Sequence, residues 1–345
     1  MASVDLVVRG AGIFGLSIAW VAAQRGARVM VVDPHGPAAG SSGGIVGALA
    51  PHVPENWNAK KAFQLDSLLM AQDFWNEVES AGGGTSGYAR KGRLQPVQDD
   101  HALSLARQRA ETAQALWQDH AIWEVVKATG ADWEPLSPTG FLIRDSLSAL
   151  VHPRKGCDAL VRALASKGIN VTPEAEAHVP TVWATGVAGL EEMTARHTRS
   201  VGAGVKGQAA LLRHDASGAP QIFAGGVHVI PHGDGTVAIG STSERDYTSA
   251  STTDAQLDAV IDAARTAVPV LAEADVIDRW AGVRPRSRSR APMLGAWPDR
   301  PGHFIANGGF KIGFGMAPKV AQVMADLALE GIDHIPQGFR VEDNL

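Results

Sequence analysis

A glycine-punctuated turn near the N-terminus constrains the fold of this chain more than any other feature. Residues 4–9 are mostly apolar and rich in β-branched side chains, and the sequence GAGIFG follows at residues 10–15. Residues 16–24 then have the apolar spacing of a helix, and residues 27–32 form a second apolar stretch that ends at Asp33. This order predicts a strand, a tight turn, a helix and a strand, which together form a βαβ unit.

The glycines of this turn have the spacing of a dinucleotide-binding fingerprint. Gly10 allows the tight turn, Gly12 lets the backbone approach a pyrophosphate, and Gly15 lets the helix pack closely on the strand. The pyrophosphate would lie at the N-terminus of the helix, where free N–H groups and the helix dipole favour an anion. We therefore expect these glycines, with Ile13 and Phe14, at a cofactor.

An acidic residue and a second loop of small residues indicate which dinucleotide binds. Asp33, followed by Pro34, lies about 20 residues after the first glycines, where a carboxylate accepts hydrogen bonds from ribose hydroxyls and repels the 2′-phosphate of NADP. Ser41, Ser42 and Gly43 then offer a second close backbone approach. NAD domains do not usually need such a loop, so it favours the extended cofactor FAD.

Two later segments offer further close approaches to a cofactor. One is the end of an apolar strand, Ala184-Thr185-Gly186, and the other is a glycine-rich turn before a helix, Gly309-Phe310-Lys311-Ile312-Gly313. A helix beginning near Gly315 would place a partial positive charge where a reduced flavin ring carries negative charge.

The remaining chain alternates between helical and strand-like patterns. Helices are predicted over residues 59–80, 102–118, 156–168, 253–268 and 316–329, and short strands with Gly, Pro and Asp turns recur over residues 205–242. The predicted fold class is α/β, with a discontinuous Rossmann-like FAD-binding domain and an α+β substrate domain built on an antiparallel sheet. The first would comprise residues 1–85, 146–204 and 281–345, and the second residues 86–145 and 205–280.

Charge and composition exclude several kinds of partner. The 345 residues include 31 Lys+Arg and 36 Asp+Glu, a formal net charge of −5, so nothing global attracts nucleic acid or an anionic membrane. Neither a membrane-spanning apolar segment nor a leader pattern occurs, which predicts a cytoplasmic protein.

His228 and His232 are the best-spaced candidate metal ligands, but Pro231 excludes the helix that would align them, so no metal site is expected. The sequence does not indicate an oligomeric state.

Eight stretches of the sequence together resemble one enzyme family. In chain order they read VVRGAGIFGLSIAW with VVD, GSSGGIVGALAPH, LVHPRKGCDALVRALASKG, TVWATG, VKGQAAL, VHVIPHGDGTVAIGSTSE, RWAGVRPRSRSRAPMLG and NGGFKIGFGMAP. In this order, over residues 4 to about 330, the chain resembles the D-amino-acid oxidase superfamily of FAD enzymes, and within it bacterial glycine oxidases most. Residues 85–145 match only loosely.

The resemblance implies roles for four residues. Arg284 in WAGVRP corresponds to the guanidinium that grips a substrate carboxylate, a role that suits the bidentate geometry of arginine. His228 stands where glycine oxidases have a substrate-side tyrosine, and Lys311 where they have a second arginine that faces the carboxylate. His52 matches a histidine close to the flavin ring, although a structural, hydrogen-bonded histidine accounts for it equally well.

The activity implied by the resemblance is oxidation of the CH–NH bond of a small amino acid or N-substituted amino acid. With the carboxylate on Arg284, the amine presents its α C–H to flavin N5, a hydride moves, and the resulting imine hydrolyses after release. O2 or another electron acceptor would then reoxidise the flavin.

Two other functions stay open from the sequence alone. Arg286, Arg288 and Arg290 share alternating spacing with Arg284, and a solvated face of a strand accounts for these three. In a flavoprotein that trims a carboxymethylated tRNA base, which resembles this family, they would instead contact phosphates; the net charge argues against this. A non-catalytic dinucleotide-binding protein needs only the first βαβ unit.

Overall fold

The computed structural model describes residues 4–176 and 178–345 of the chain. Its helices there are α1 (Ile13–Gln24), α2 (Ala59–Gly82), α3 (Asp100–Trp117), α4 (Pro153–Ser166), α5 (Gly186–Arg196), α6 (Ala255–Ala267) and α7 (Gly313–Ala325). Its strands are β1 (Leu6–Arg9), β2 (Val29–Val32), β3 (Ala48–Leu49), β4 (Arg93–Pro96), β5 (Trp123–Lys127), β6 (Phe141–Asp145), β7 (Ala149–Leu150), β8 (Val171–Thr172), β9 (Thr181–Trp183), β10 (Gly202–Arg213), β11 (Gln221–Ala224), β12 (Val227–Pro231), β13 (Thr236–Gly240), β14 (Val276–Ser287), β15 (Met293–Ala296) and β16 (His303–Asn307). None of these helices is long and apolar enough to cross a membrane.

The predicted βαβ unit forms at the N-terminus. β1 and β2 pair in parallel, with Leu6 opposite Val29, and α1 connects them. A Cβ atom on Gly15 would lie 1.8 Å from the carbonyl oxygen of Gly10. Only glycine therefore allows the first turn of α1 to pack this closely on the turn that precedes it.

A six-stranded sheet extends from this unit in the order β15-β16-β9-β1-β2-β8. All pairs are parallel except β15 with β16. Parallel strands require apolar cover on their faces, and part of this cover comes from α1, whose Leu16, Ile18 and Trp20 are buried with Leu6 and Val8 in the largest core cluster. α1 packs on α4 and α7, and α2 packs on the same two helices.

A larger eight-stranded sheet has the order β14-β10-β13-β12-β11-β4-β6-β5. Its pairs are antiparallel except β11 with β4. α6 packs on β10, β12 and β13 and buries Leu257, Ile261 and Ala264 in a second core cluster. The architecture is thus the predicted α/β class, with one largely parallel and one largely antiparallel sheet.

The longest strand pair joins β10 to β14. The pairing runs from Gly202 opposite Ser287 to Leu212 opposite Val276. All of β14 belongs to the eight-stranded sheet, so the predicted domain boundary at residue 281 falls inside this strand. The division of the chain into two domains stays a prediction, and Arg284 belongs to the eight-stranded sheet.

Candidate functional site

One cavity of about 1510 Å³ is lined by residues of both large sheets. Arg9, Trp183 and Ala306 line it from the six-stranded sheet, and Ala209 and Arg284 from the eight-stranded sheet. Pockets for drug-sized ligands have volumes of roughly 300–1,000 Å³. The cavity therefore has room for a larger ligand, or for a cofactor together with a substrate.

Three helices begin at the wall of this cavity. The first residues of α1, α5 and α7 line it, and in none of the three helices does the side chain of the N-cap residue accept a hydrogen bond from the helix. By contrast, α2, α3, α4 and α6 are each capped by a side chain, from Asn58, Asp99, His152 and Asp254 respectively. Uncapped N-termini leave backbone N–H groups without helical partners, and these groups attract anions.

The glycine turn brings two predicted cofactor segments together. Gly10 has φ +102°, and a Cβ atom on it would lie 2.3 Å from the carbonyl oxygen of Ala184. Ser42 Oγ accepts a hydrogen bond from the backbone N–H of Ile13 at 3.0 Å, and a Cβ atom on Gly12 would lie 3.1 Å from that hydroxyl. The absence of side chains at these two glycines thus lets the strand end at residue 184 and the Ser42 loop reach the start of α1.

The acid at the end of β2 holds the same turn. Asp33 Oδ2 accepts from the backbone N–H of Ala11 at 2.8 Å, and Oδ1 accepts from the N–H of His35 at 2.9 Å. Asp33 is half-buried and lines the cavity. Each carboxylate oxygen has a second acceptor site, so the group can hold the turn and still accept from a ribose hydroxyl.

Most of the predicted cofactor residues line this cavity. They are Gly10, Gly12, Ile13, Phe14, Asp33, Pro34, Ser41, Ser42, Ala184, Thr185, Gly186, Gly309, Phe310, Lys311 and Gly313. The residues predicted there that do not line it are Gly15, Gly43 and Ile312. Gly15 packs against the carbonyl of Gly10, and the carbonyl of Gly43 accepts from Arg154 Nε at 2.9 Å.

Arg284 lies in the cavity wall as a buried cation, and no Asp or Glu of the described residues forms an ion pair with it. Arg284 is only 7% exposed. Its Nη2 donates to Ser241 Oγ at 2.9 Å and to the carbonyl of Thr242 at 3.2 Å. Nη1 is buried without a hydrogen-bond partner in the described structure. Burial lowers the pKa of Arg284 to about 10. A buried guanidinium with an unmet donor is suited to bind an anionic oxygen of a ligand.

A buried polar network lies behind Arg284, and sequence reasoning missed it. Glu244 accepts hydrogen bonds from the hydroxyl of Thr242 and from Gln208 Nε2, the latter at 3.0 Å, and forms an ion pair with buried Lys206 at 3.4 Å. Thr242 in turn supplies the carbonyl that accepts from Arg284. Because β10 and the segment after β13 are distant in sequence, only the strand pairing brings these groups together.

His228 and Lys311 line the same cavity as Arg284. The ring of His228 packs on Phe223 with centroids 4.7 Å apart, and its Nδ1 is buried without a hydrogen-bond partner. Burial, followed by the charges of Arg93 and Lys311, lowers the pKa of His228 to about 4, so the ring is neutral at pH 7. Burial and then the charge of Arg284 lower the pKa of Lys311.

His52 does not line the cavity. Its Nδ1 is paired with Gln64 Oε1 at 2.5 Å, and its backbone N–H donates to the same oxygen at 2.7 Å. Burial lowers the pKa of His52. These contacts support the structural interpretation of this histidine, and a flavin-side role stays a prediction.

The prediction that Arg286, Arg288 and Arg290 form one solvated strand face is wrong. β14 ends at Ser287, so Arg284 and Arg286 lie on the strand, whereas Arg288 and Arg290 lie in the turn that follows. Arg290 has φ +60°, and Arg288 Nη1 donates to the C-terminal residue Leu345. One further backbone hydrogen bond, from the N–H of Arg288 to the carbonyl of Val201 at 2.9 Å, follows the last strand pair before the chain turns away.

The described part of the chain holds no cluster of metal-ligating side chains, and its one cysteine is buried. Within residues 4–176 and 178–345, no group of three or more His, Cys, Asp or Glu side chains is placed to hold a metal ion. Cys157 is buried, and burial raises the pKa of its thiol to about 12. A thiol with such a pKa supplies almost no thiolate nucleophile at neutral pH.

Comparisons with known proteins show the family of the chain. A family model described as "DAO: FAD dependent oxidoreductase" matches residues 5–327. The glycine oxidase of Pseudomonas aeruginosa is 33% identical over 124 residues, which cover 36% of this chain and 34% of that protein. This match thus spans about a third of that relative. The glycine oxidase of Geobacillus kaustophilus is 24% identical over 371 residues, covering 94% of this chain and 92% of that protein.

Solved structures share the fold over nearly the whole chain. The crystal structure of the Geobacillus kaustophilus glycine oxidase superposes with a TM-score of 0.84 at 20% identity and covers 98% of each chain. An iminodiacetate oxidase from Chelativorans superposes with a TM-score of 0.82 at 21% identity and covers 97% of this chain and 98% of that one. At these identities the superpositions show a shared fold and no more.

Proposed function

The chain belongs to the DAO family of FAD-dependent oxidoreductases, and we propose that it oxidises the carbon–nitrogen bond of an amine that carries a carboxylate. The single observation that carries this proposal is Arg284, a buried guanidinium in the cavity wall with no carboxylate of the described chain paired to it and with Nη1 unpartnered. A substrate carboxylate would supply the missing acceptor and the compensating charge.

The residues of the cavity fit the family's cofactor. The N-terminus of α1 would hold the pyrophosphate of FAD, and Asp33 would accept from a ribose hydroxyl. The turn before α7, which includes Phe310 and Lys311, lies in the same cavity as Arg284. We therefore propose that the cofactor extends from the glycine turn towards Arg284, with its flavin end nearest to the substrate.

Bound FAD would supply the two-electron oxidation, and the chain's own residues would orient the substrate. Two N–H groups of Arg284 can hold both oxygens of the carboxylate, which fixes the position of the α-carbon. The positive charges of Arg284 and Lys311 disfavour a protonated amine next to them, and only the neutral amine has the lone pair that oxidation requires. Neutral His228 can accept a hydrogen bond from an amine N–H.

The balance of the reaction follows from this arrangement. The substrate loses two electrons and two protons to become an imine, and water adds to the imine to release a carbonyl compound and an amine. The electrons pass on to O2 or to another acceptor, which stays a prediction from the sequence. No strong side-chain base is needed, because the neutral amine itself provides the electron pair.

Anaerobic bleaching of the bound flavin tests this function. The holoenzyme would be mixed with glycine, sarcosine, D-amino acids, L-proline and N-carboxymethyl amines, and the loss of the oxidised flavin absorbance followed. We expect at least one carboxylate-bearing amine to bleach the flavin and its decarboxylated analogue to fail. A holoenzyme that no amine reduces would contradict the proposal and favour a non-catalytic dinucleotide-binding protein.

A further inference from the structure

Three cationic groups surround one aromatic ring at the cavity wall. The guanidinium carbons of Arg284 and Arg286 lie 6.0 and 5.7 Å from the centroid of the Phe310 ring, and Lys311 Nζ lies 5.8 Å from it. Phe310, Arg284 and Lys311 line the cavity themselves. We refer to Arg284, Arg286 and Lys311 as the Phe310 cation cluster.

The cluster has no acidic counterpart in the part of the chain that the structure describes. No ion pair joins any of its three members to an Asp or Glu there. Only Arg284 of the three is buried, and the two other buried cations in that part of the chain, Arg93 and Lys206, each have an acidic partner. The acidic residues that line the cavity are Asp33, Glu174 and Glu176, which follow β2 and β8 in the six-stranded sheet. Burial lowers the pKa of Arg284 and the charge of Glu244 raises it, but the carboxylate of Glu244 is already paired with Lys206.

The charges of the cluster exceed what one carboxylate can balance. A monocarboxylate bound to Arg284 would leave Lys311 and Arg286 without a counter-charge beside a largely apolar ring. Like charges brought together at a partly desolvated site raise the free energy of the site. The amino group of the substrate cannot help, because it carries either no charge or a positive one.

We infer that the preferred substrate carries a second carboxylate, which Lys311 binds with Arg286 close by while Arg284 binds the first. This inference rests on the proposed function and narrows its substrate class to acidic amino acids and N-carboxymethyl amino acids. Lys311 lies in the turn before α7, lines the cavity and is exposed to solvent. It can therefore meet a carboxylate two or more bonds beyond the reacting carbon, at the open side of the cavity.

Binding of ligands that cannot be oxidised as amines tests the inference without turnover. Diglycolate has two carboxylates joined through an ether, and methoxyacetate is the same molecule with one carboxylate replaced by hydrogen. Both would be titrated into the holoenzyme, with the flavin absorption spectrum as readout. We expect diglycolate to bind at least about tenfold more tightly, as one additional charge-assisted contact predicts.

Variants of Lys311 identify the group responsible. Lys311→Met should reduce the ratio of the two dissociation constants to near one, and Lys311→Arg should retain most of it. Lys91→Met is the matched control, since Lys91 is exposed and lies outside the residues that line the cavity. This control should keep the wild-type ratio. A ratio that Lys311→Met leaves unchanged would overturn the assignment of the second carboxylate to Lys311.

Turnover separates this inference from the function on which it rests. Iminodiacetate has one carboxylate more than sarcosine, and glutamate has one carboxylate where glutamine has a neutral amide. Both enantiomers of glutamate and of glutamine would be assayed. We expect higher kcat/KM for the member of each pair with two carboxylates. If sarcosine and glutamine reduce the flavin as efficiently as their partners, the second carboxylate is refuted while amine oxidation stands. If no member reduces the flavin, the proposed function fails instead.

Discussion

A Cβ atom on Gly207 would lie 1.3 Å from Nη2 of Arg284. In the β10–β14 pair, Arg284 is opposite Val205, and Gly207 is two residues further along β10 on the same face. The guanidinium therefore extends diagonally across the neighbouring strand into space that any other residue would fill. Gly207 determines where Arg284 presents its donors to the cavity.

Replacing Gly207 with alanine should displace the Arg284 guanidinium without unfolding the protein. Because a displacement of about 1 Å at a positioning group costs up to about a hundredfold in rate, we expect kcat/KM for carboxylate-bearing amines to fall by about one to two orders of magnitude. FAD content should stay at the wild-type level. Gly218→Ala, where a Cβ meets nothing within 4 Å, is the control. Wild-type kcat/KM in Gly207→Ala would contradict this account of the strand pair.

Truncation of Arg284 itself tests the carboxylate site. Deleting one partner of a buried charge pair costs roughly 2–5 kcal/mol, so Arg284→Ala should lower kcat/KM by about two to three orders of magnitude, with FAD content unchanged. Arg284→Lys should recover only part of the loss, because an ammonium cannot donate as a fork. If Arg284→Ala oxidises the best amine as the wild type does, the carboxylate role of Arg284 is refuted.

Elements defined by local sequence could be predicted well. The predicted helix over residues 59–80 corresponds to α2, which ends where Gly83 adopts φ +67°. The βαβ unit was likewise predictable, since its turn, helix spacing and apolar strands lie within 30 residues of one another. α5 and β5 were missed, because both are short and α5 depends on packing against β14 and β16, which are distant in sequence.

The candidate site shows the same division between local and non-local information. The glycine turn and Asp33 were identified because their spacing along the chain is itself the signal. Gly207 and Ser241 were missed, although both touch or adjoin Arg284, because strand register alone brings them there. Their stretches, VKGQAAL and GSTSE, carried the family resemblance, but no single residue in them has a spacing that points to a site.

The turn before α1 offers a test of the cofactor site. Gly12→Val would place a branched side chain against Ser42 Oγ, which already lies 3.1 Å from a Cβ at this position, and into the expected approach of the pyrophosphate. We expect the purified variant to lose most of its FAD, measured as the ratio of flavin to protein absorbance. Gly233→Ala, with open space around its Cβ, should keep the cofactor. Full FAD content in Gly12→Val would refute this placement of the phosphates.

A pair of buried histidines predicts how stability depends on pH. The rings of His152 and His232 lie 4.5 Å apart, and burial followed by the charge of His232 lowers the pKa of His152 to about 4. Between that value and the unfolded pKa of about 6.5, the unfolded chain binds more protons than the folded one. Stability should therefore be complete above pH 6.5 and fall as the pH decreases towards 4.

The expected loss is about 1 kcal/mol of unfolding free energy per pH unit below 6.5 for such a histidine. His152→Asn keeps an acceptor for the backbone N–H of Lys155 at the start of α4 but cannot become charged. Denaturant titrations of the holoenzyme at pH 7.5 and 5 should therefore show a smaller acid loss in His152→Asn than in the wild type. An equal loss in both proteins would mean that other groups cause the acid dependence.

The network behind Arg284 predicts a positioning role for Glu244. The carboxylate of Glu244 accepts from the Thr242 hydroxyl, and the carbonyl of Thr242 accepts from Arg284 Nη2 at 3.2 Å. Neutralising Glu244 weakens its hold on Thr242 and leaves buried Lys206 with only the more distant Asp254 at 3.7 Å. The segment that fixes Arg284 would then become less constrained.

Glu244→Gln should therefore raise KM for carboxylate-bearing amines by about tenfold and leave kcat within about twofold, because a less constrained Arg284 weakens binding of the carboxylate before the chemical step. FAD content should be unchanged, and the unfolding free energy should fall because a buried charge has lost its partner. Glu111→Gln, on the exposed side of α3, is the matched control. If Glu244 serves only the fold, the enzyme that remains folded should bind the carboxylate as the wild type does. A loss of stability with wild-type KM would therefore contradict the positioning role.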